Sequence, residues 1–178
     1  MELQQILDRL WKDYSEQNPS AKRISDLFQS RGEKVVNDHI AFRTFNDPRV
    51  NIDVLSKPFI SNGYKEKGQY TFEKKHLNAK HFELEGHEEA PRVFISQLKV
   101  EDFSDYLQNT VKNIIDNIPE NVLKSEELVF SGNVWGKPSY EVYNKLRDES
   151  EYAAWLYVFG FRANHFTVSA NALEKYPN

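Results

Sequence analysis

The spacing of apolar residues changes at Val36, and this change constrains the fold more than any other feature of the sequence. Before Val36, apolar residues recur every three or four positions in two segments, which predicts two amphipathic helices. Ser20 is the expected N-cap of the second helix, and Gly32 is expected to end it. From Val36 to Phe45 apolar and polar residues alternate instead, which predicts a strand. A helical hairpin that covers a sheet is the expected arrangement.

The remaining patterns are also a mixture of helices and strands. Helices are predicted around Ile52, Leu55 and Phe59, over 103–115, from Ser139, and over 152–159 with Gly160 as the stop signal; strands are predicted near 69–73, 80–84, 92–98 and 162–170. This order of elements predicts an α+β fold in a single domain over residues 1–178, and not a doubly wound parallel sheet.

Composition excludes several classes of function. The sequence contains no cysteine, which excludes disulfides, zinc knuckles, iron–sulfur clusters and thiol nucleophiles, so a bound metal must be held by imidazoles and carboxylates. The 23 Lys and Arg residues against 27 Asp and Glu, with both signs spread along the chain, indicate no nucleic acid partner. The charged N-terminus and the short apolar run 152–161 indicate neither a signal peptide nor a membrane partner. The expected location is cytoplasmic, and a homo-oligomer stays open.

His39 and Arg43 are the first candidate site residues. Alternation along the strand places them on one face, with the small Ala41 between them. Imidazole is a common metal ligand, and the planar fork of a guanidinium can bind both oxygens of a carboxylate. The alternative is a core histidine bonded to a backbone carbonyl, next to an arginine in a surface ion pair.

Four further histidines differ in their surroundings. His165 is predicted mid-strand between Ala163 and Thr167, either as a metal ligand or as a half-buried core histidine. It lies 126 positions after His39, and spacing alone does not pair the two residues. His76 and His81 border a Lys-rich segment and are expected to be exposed or at a pocket rim, whereas His87 is expected in a solvated turn.

Four separate segments resemble signatures of the 2-oxoadipate dioxygenase/decarboxylase (hydroxyglutarate synthase) family. The first is Val36-Asn37-Asp38-His39-Ile40-Ala41-Phe42-Arg43-Thr44-Phe45. The later ones are Ala79-Lys80-His81-Phe82-Glu83, Pro91-Arg92-Val93-Phe94-Ile95-Ser96-Gln97-Leu98 and Gly160-Phe161-Arg162-Ala163-Asn164-His165-Phe166-Thr167-Val168. They follow in the family's order through essentially the whole chain.

This resemblance implies a vicinal-oxygen-chelate, glyoxalase-like fold in which βαβββ modules form a metal-lined cup. It also implies Fe(II) held by two histidines and one glutamate. His39 and His165 match the two histidine positions, and Arg43 matches the arginine that binds a substrate carboxylate. We further predict that Asn37 and Asn164 orient the imidazoles through hydrogen bonds.

No residue of the sequence matches the family's glutamate ligand. Glu83 and Glu85 are the only substitutes that the strand pattern offers, and the chain is therefore expected to be an incomplete version of the metal-cup domain.

The implied reaction is oxidative decarboxylation and hydroxylation of a 2-oxo dicarboxylic acid with O2, of the type that converts 2-oxoadipate to 2-hydroxyglutarate. The alternatives are a catalytically incomplete module that binds metal and dicarboxylate, and a glyoxalase-like lyase or hydrolase that uses another divalent metal.

Overall fold

The computed structural model describes residues 1–87 and 89–174 and shows a five-stranded sheet with helices around it. The strands are β1 (Asn37–Phe45), β2 (Tyr64–Phe72), β3 (Leu77–Leu84), β4 (Arg92–Leu98) and β5 (Ala163–Val168). The helices are α1 (Leu3–Gln17), α2 (Pro19–Ser30), α3 (Ile52–Leu55), α4 (Lys57–Ile60), α5 (Asp105–Asp116), α6 (Glu120–Leu123), α7 (Tyr140–Glu149) and α8 (Glu151–Phe159). Short 3₁₀ turns lie at Glu73–Lys75, Val100–Asp102, Glu126–Phe130 and Ala170–Ala172.

The strand order is β2-β3-β4-β1-β5, with β1 parallel to β4 and the other neighbours antiparallel. A parallel pair needs a crossover connection, and α3, α4, β2 and β3 provide it. The segment from β1 to β4 is therefore a βαβββ unit, and β5 adds a strand to the other side of β1. The predicted α+β fold with a βαβββ sheet is confirmed.

The predicted N-terminal helical hairpin is confirmed as α1 and α2. Ile6 and Leu10 of α1 are buried in the core, and Trp11 lies edge-on to Phe166 of β5 with 5.3 Å between ring centroids. The N-cap of α2 is Asn18, so the prediction of Ser20 was wrong. Pro19 explains the difference, because its ring and missing N–H suit the first position of a helix.

The helix predicted around Ile52 is two short helices, α3 and α4, which meet at Ser56. Pro58 lies in the first turn of α4, where its missing N–H is tolerated. Strands β2 and β3 begin earlier than predicted. Most side chains of β2 are exposed because it is an edge strand, so its sequence lacks the alternation of a half-buried strand.

The core lies on the side of the sheet that α3 and α4 cover. Phe42 packs on Phe59 and Phe59 on Tyr64, with ring centroids 5.6 Å and 5.9 Å apart, and all three rings are fully buried. The Tyr64 hydroxyl donates to the Pro91 carbonyl at 2.9 Å, and burial raises the pKa of Tyr64 to about 12. Within the described ranges, none of the helices combines the length and the apolar character needed to cross a membrane.

Gly160 ends α8, as predicted, and β5 begins three residues later. Its φ of 71° and ψ of −159° are available to glycine but not to other residues without strain. A Cβ at this position would lie 2.0 Å from the carbonyl oxygen of Gly132, whose own N–H donates to the Phe161 carbonyl at 2.8 Å. Gly160 therefore lets the loop before α7 pack against the start of β5.

We predict that Gly160→Ala lowers the free energy of unfolding by about 3 kcal/mol or more, because both the backbone conformation and the space exclude a methyl group. Urea titration followed by circular dichroism measures the effect. Gly86→Ala is the matched control, because Gly86 also has a positive φ but open space around it. Equal losses in the two variants would show that the contact with Gly132 is unimportant.

Candidate metal centre

The antiparallel pairing of β1 and β5 brings His39 and His165 together. Ala41 is the register partner of His165. The pairing of β1 with β5 is irregular between Asn37 and Ile40 and again between Ala41 and Phe42. The two Nε2 atoms lie 3.3 Å apart, and the rings meet edge to face with 5.3 Å between centroids. Two imidazoles that are distant in sequence thus present their ring nitrogens to one point.

The other ring nitrogen of His39 is fixed by two neighbours. Nδ1 lies 2.8 Å from Asp38 Oδ2 and 2.9 Å from Thr167 Oγ1. A carboxylate accepts hydrogen bonds only, so Nδ1 carries the hydrogen and the Nε2 lone pair is free. Thr167 Oγ1 also accepts from the His39 N–H at 3.0 Å and donates to the His39 carbonyl at 3.1 Å.

Asp38 takes the place that the sequence analysis gave to Asn37. In the described part of the chain, the ring nitrogens of His39 contact Asp38, Thr167 and His165, while Asn37 lines a different cavity beside α1 and α2. Strict alternation had placed Asp38 on the opposite face. The irregular pairing of β1 with β5 between Asn37 and Ile40 breaks that alternation.

Asn164 contacts the ring of His165, as predicted. Its Nδ2 lies 3.1 Å from His165 Nδ1, and its Oδ1 is buried without a hydrogen-bond partner among the described residues. Rotating the amide by 180° would let Oδ1 accept from Nδ1–H and leave the His165 Nε2 lone pair free. Burial, followed by the nearby His39 and Arg43, lowers the pKa of His165, which favours the neutral imidazole that binds metals.

The separation of the two Nε2 atoms fits joint coordination of one metal ion. Two metal–nitrogen bonds of about 2.1 Å span 3.3 Å when they meet at an angle of roughly 104°. Imidazole donors suit iron, zinc, copper and nickel. Across residues 1–87 and 89–174, however, no group of three or more His, Asp or Glu side chains is placed to hold a metal. The described residues therefore offer two candidate ligands for a metal ion.

The two glutamates proposed as substitute ligands differ in position. Glu83 lines a cavity of about 470 Å³ together with His39 and His165. Its carboxylate accepts from Arg92 Nε at 2.9 Å and lies 3.5 Å from His81 Nε2.

Glu85 lies in the exposed turn after β3, where it pairs with Lys65 and Lys67 at 2.6 Å and 2.5 Å. These two lysines lower the pKa of Glu85 to about 2. The suggestion of Glu85 as a ligand was therefore wrong, because its side chain is committed elsewhere.

Arg43 lies on the floor of a second cavity of about 430 Å³ that also includes His165. Its guanidinium stacks on Tyr152 and Trp155 of α8, 5.1 Å and 5.0 Å from the ring centroids. No carboxylate of the described residues forms the ion pair with Arg43 that the alternative of a surface ion pair requires. Burial lowers the pKa of Arg43, and the nearby Tyr152 and Glu151 act in the opposite direction.

His165 and Phe94 line both cavities, so the imidazole pair stands where the two cavities meet. His76 lines the cavity that contains Arg43, and His81 lines the cavity that contains His39. Both positions agree with the prediction that these histidines lie at a pocket rim. The sequence analysis missed Tyr70 and Thr167 as site residues. Their neighbours in the site come from other strands, and no local motif marks them.

A βαβββ sheet with two facing imidazoles on its open side defines a glyoxalase-like protein with a candidate metal centre. The family model for 2-oxoadipate dioxygenase/decarboxylase matches residues 2–177. The chain belongs to this family.

Curated relatives carry the same description. A 2-oxoadipate dioxygenase/decarboxylase of Oryza sativa subsp. japonica is 32% identical over 94% of this chain and 49% of its own length. The corresponding protein of Arabidopsis thaliana is 30% identical over 97% of this chain and 50% of its own length. The chain thus spans about half the length of the curated relatives it matches.

Solved structures agree with the fold. A protein from Shewanella frigidimarina that has been called a hydrolase has a TM-score of 0.93 at 42% identity, covering 99% of this chain and 68% of that one. The hydroxyglutarate synthase of Oryza sativa in complex with 2-oxoadipate has a TM-score of 0.87 at 32% identity, covering 96% and 58%. A glyoxalase superfamily protein from Ralstonia eutropha, with a TM-score of 0.77 at 20% identity and coverage of 89% and 59%, supports the fold alone.

We predict that Thr167→Val lowers the free energy of unfolding by about 1–2 kcal/mol, because it leaves the N–H of His39 without its acceptor while keeping the shape of the side chain. Urea titration measures this loss. Thr71→Val on the exposed edge strand is the control, with an expected change within about 0.5 kcal/mol. A Thr167→Val variant as stable as the control would contradict the role given to this hydroxyl.

Proposed function

We propose that this chain binds ferrous iron through His39 and His165 and acts in the oxidative decarboxylation and hydroxylation of a 2-oxo dicarboxylic acid. The pair of Nε2 atoms 3.3 Å apart, beside a guanidinium with no carboxylate partner in the described chain, carries this proposal. The substrate we propose is 2-oxoadipate, which the hydroxyglutarate synthase of Oryza sativa holds in its solved complex. One O2 is consumed, and one CO2 and one 2-hydroxyglutarate are formed.

Ferrous iron would supply the centre at which a 2-oxo acid chelates and O2 is reduced. The residues of the chain do the binding and the orienting. His39 and His165 offer ring nitrogens, and Asp38 and Thr167 keep the Nε2 atom of His39 directed into the cavity. Asn164 does the same for His165. These contacts within the chain would hold the two imidazoles in the orientations that a shared metal needs.

Arg43 would hold one carboxylate of the substrate. Its contacts with the rings of Tyr152 and Trp155 restrain the guanidinium beside the cavity that Arg43 lines. A bidentate pair with a carboxylate would offset the cost of burying this cation, and it would fix the orientation of the acid relative to the imidazoles.

Glu83 is our candidate for a third ligand, since it shares a cavity with both imidazoles, and the other carboxylate of that cavity, Asp38, is bonded to His39 Nδ1. To reach a metal it would have to exchange its contacts with Arg92 and His81. The other source of a third ligand is a group outside the described residues.

A second candidate function is a module that binds metal and dicarboxylate without turnover. One observation favours it: among residues 1–87 and 89–174, no three ligand side chains converge on one point. Such a module would keep Arg43 and the imidazole pair as its binding groups and would bind dicarboxylates without forming a product.

We predict that the purified chain binds one Fe(II) ion and that His39→Ala or His165→Ala weakens this binding at least about a hundredfold, because each removes one of two imidazole ligands. Anaerobic titration calorimetry measures the affinity. Asp38→Asn is expected to weaken binding about tenfold, by loosening the orientation of His39.

His87→Ala is the matched control for these variants, since His87 lies in the exposed turn after β3, and it should bind iron as the unmodified chain does. Glu83→Gln tests the third ligand: a loss of tenfold or more would assign that role to Glu83, and an unchanged affinity would remove it. Iron binding that survives loss of both imidazoles would refute the site.

We predict that the iron-loaded chain consumes O2 in the presence of 2-oxoadipate, and that Arg43→Lys lowers kcat/KM about a hundredfold, because a lysine cannot replace the planar fork. An oxygen electrode and chromatography of 2-hydroxyglutarate measure turnover. Arg49→Lys, in an exposed ion-pair cluster away from the site, is the control. Dicarboxylate binding without oxygen uptake would favour the module without turnover.

A further inference from the structure

Tyr70 on β2 and His81 on β3 form a pair of polar side chains to which the reaction proposed above gives no role. The Tyr70 hydroxyl lies 3.0 Å from His81 Nδ1, and the two rings are 5.7 Å apart between centroids. Tyr70 also packs on Phe94 with 5.6 Å between centroids. Both residues line the cavity that contains His39 and His165.

Gly68 makes the space in which His81 lies. A Cβ at Gly68 would come within 2.8 Å of His81 Cε1, 2.9 Å of Nδ1 and 3.1 Å of the Tyr70 hydroxyl. The pairing of β2 with β3 is irregular between Glu66 and Gly68, so the bulge and the missing side chain act together. The imidazole is thus held over the edge strand, where its Nδ1 meets the Tyr70 hydroxyl.

The pair can offer a hydrogen to a ligand. When His81 Nδ1 carries a hydrogen, it donates to the Tyr70 oxygen, and the hydrogen of the phenol is free to be donated into the cavity. The negative charge of Glu83 nearby is matched by Arg92 at 2.9 Å, which also lies 3.5 Å from Asp38. A second carboxylate in this cavity would therefore meet the Tyr70 donor and the guanidinium of Arg92, which lines the same cavity.

The position of the pair relative to Arg43 is set by the sheet. His81 is the register partner of Phe94, and Phe94 is the partner of Ala41, two residues before Arg43. Two strand spacings and two residues along a strand place the Cα atoms of His81 and Arg43 about 12 Å apart on the same face. Tyr70 lies one strand farther from β1 than His81, so a ligand that contacts both Arg43 and Tyr70 must be elongated, with a polar group at each end.

We propose that Tyr70, oriented by His81, is a second anchor that binds the carboxylate farther from Arg43 and so selects dicarboxylic over monocarboxylic acids. This inference rests on the proposed function only in taking the ligand to be an organic acid held at Arg43. Tyr70 acts by direct contact with the acid, and His81 and Gly68 are positioning residues.

Titration calorimetry of the chain with adipate and with hexanoate, two six-carbon acids that differ in the second carboxylate, tests the proposal. We expect the chain to bind adipate more tightly than hexanoate. Tyr70→Phe should weaken adipate binding about tenfold and change hexanoate binding less than twofold, because only adipate loses a hydrogen bond to a charged group. Gly68→Ala should act in the same direction by displacing His81.

Tyr140→Phe is the matched control, since Tyr140 is 78% exposed, and it should change neither affinity. Arg43→Lys should weaken both acids. Melting temperatures show that each variant is folded, and the conservative Tyr70→Phe leaves the ring packing on Phe94 in place.

Three outcomes would overturn the proposal: no binding of adipate to the unmodified chain, equal effects of Tyr70→Phe on both acids, or a preference for adipate that is lost in Lys75→Ala but kept in Tyr70→Phe. The last would place the second carboxylate in the cavity of Arg43, which Lys75 also lines.

The assay contains neither iron nor a 2-oxo acid. Oxygen uptake with an unchanged preference in Tyr70→Phe would therefore reject only the second anchor, and a Tyr70-dependent preference without oxygen uptake would reject only the turnover.

Discussion

The position of β1 between a parallel and an antiparallel neighbour is the constraint on which the rest of the structure depends. Parallel pairing with β4 requires the crossover through α3, α4, β2 and β3, and this crossover builds the open face of the sheet. Antiparallel pairing with β5 places His165 opposite Ala41, beside His39. Both candidate metal ligands and Arg43 therefore depend on one strand and its two registers.

Electrostatics gives this face its chemical character. Two imidazoles point at each other, and Arg43 contacts aromatic rings but, in the described chain, forms no ion pair with a carboxylate. Removing a half-buried cation and two converging lone pairs from water costs free energy. A bound anion would offset this cost for the cation, and a bound metal cation would offset it for the lone pairs. This arrangement supports the proposed binding of a metal ion and an organic anion, and the covered side of the sheet supplies the rigid core that holds the site.

The prediction from sequence succeeded where a segment makes its own pattern. Apolar and polar residues alternate along β1, and α8 ends at a glycine whose backbone conformation requires this residue. β5 begins three residues after this glycine. These three elements were therefore predicted at nearly their observed limits. β2 and the pair α3 and α4 were found less well. An exposed edge strand has no apolar face to reveal it, and helices of four residues are too short for a helical period.

The sequence by itself determined the chemistry that is present: His39, Arg43 and His165 lie in family signatures, and the absence of cysteine limits metal ligands to imidazoles and oxygens. Only the tertiary structure decided which groups meet. It joined His39 to His165, chose Asp38 over Asn37, and separated Glu85 from the site that Glu83 shares. The reason is physical, because the spacing along a strand is local, whereas the register between strands and the bulges within them are set by packing across the whole sheet.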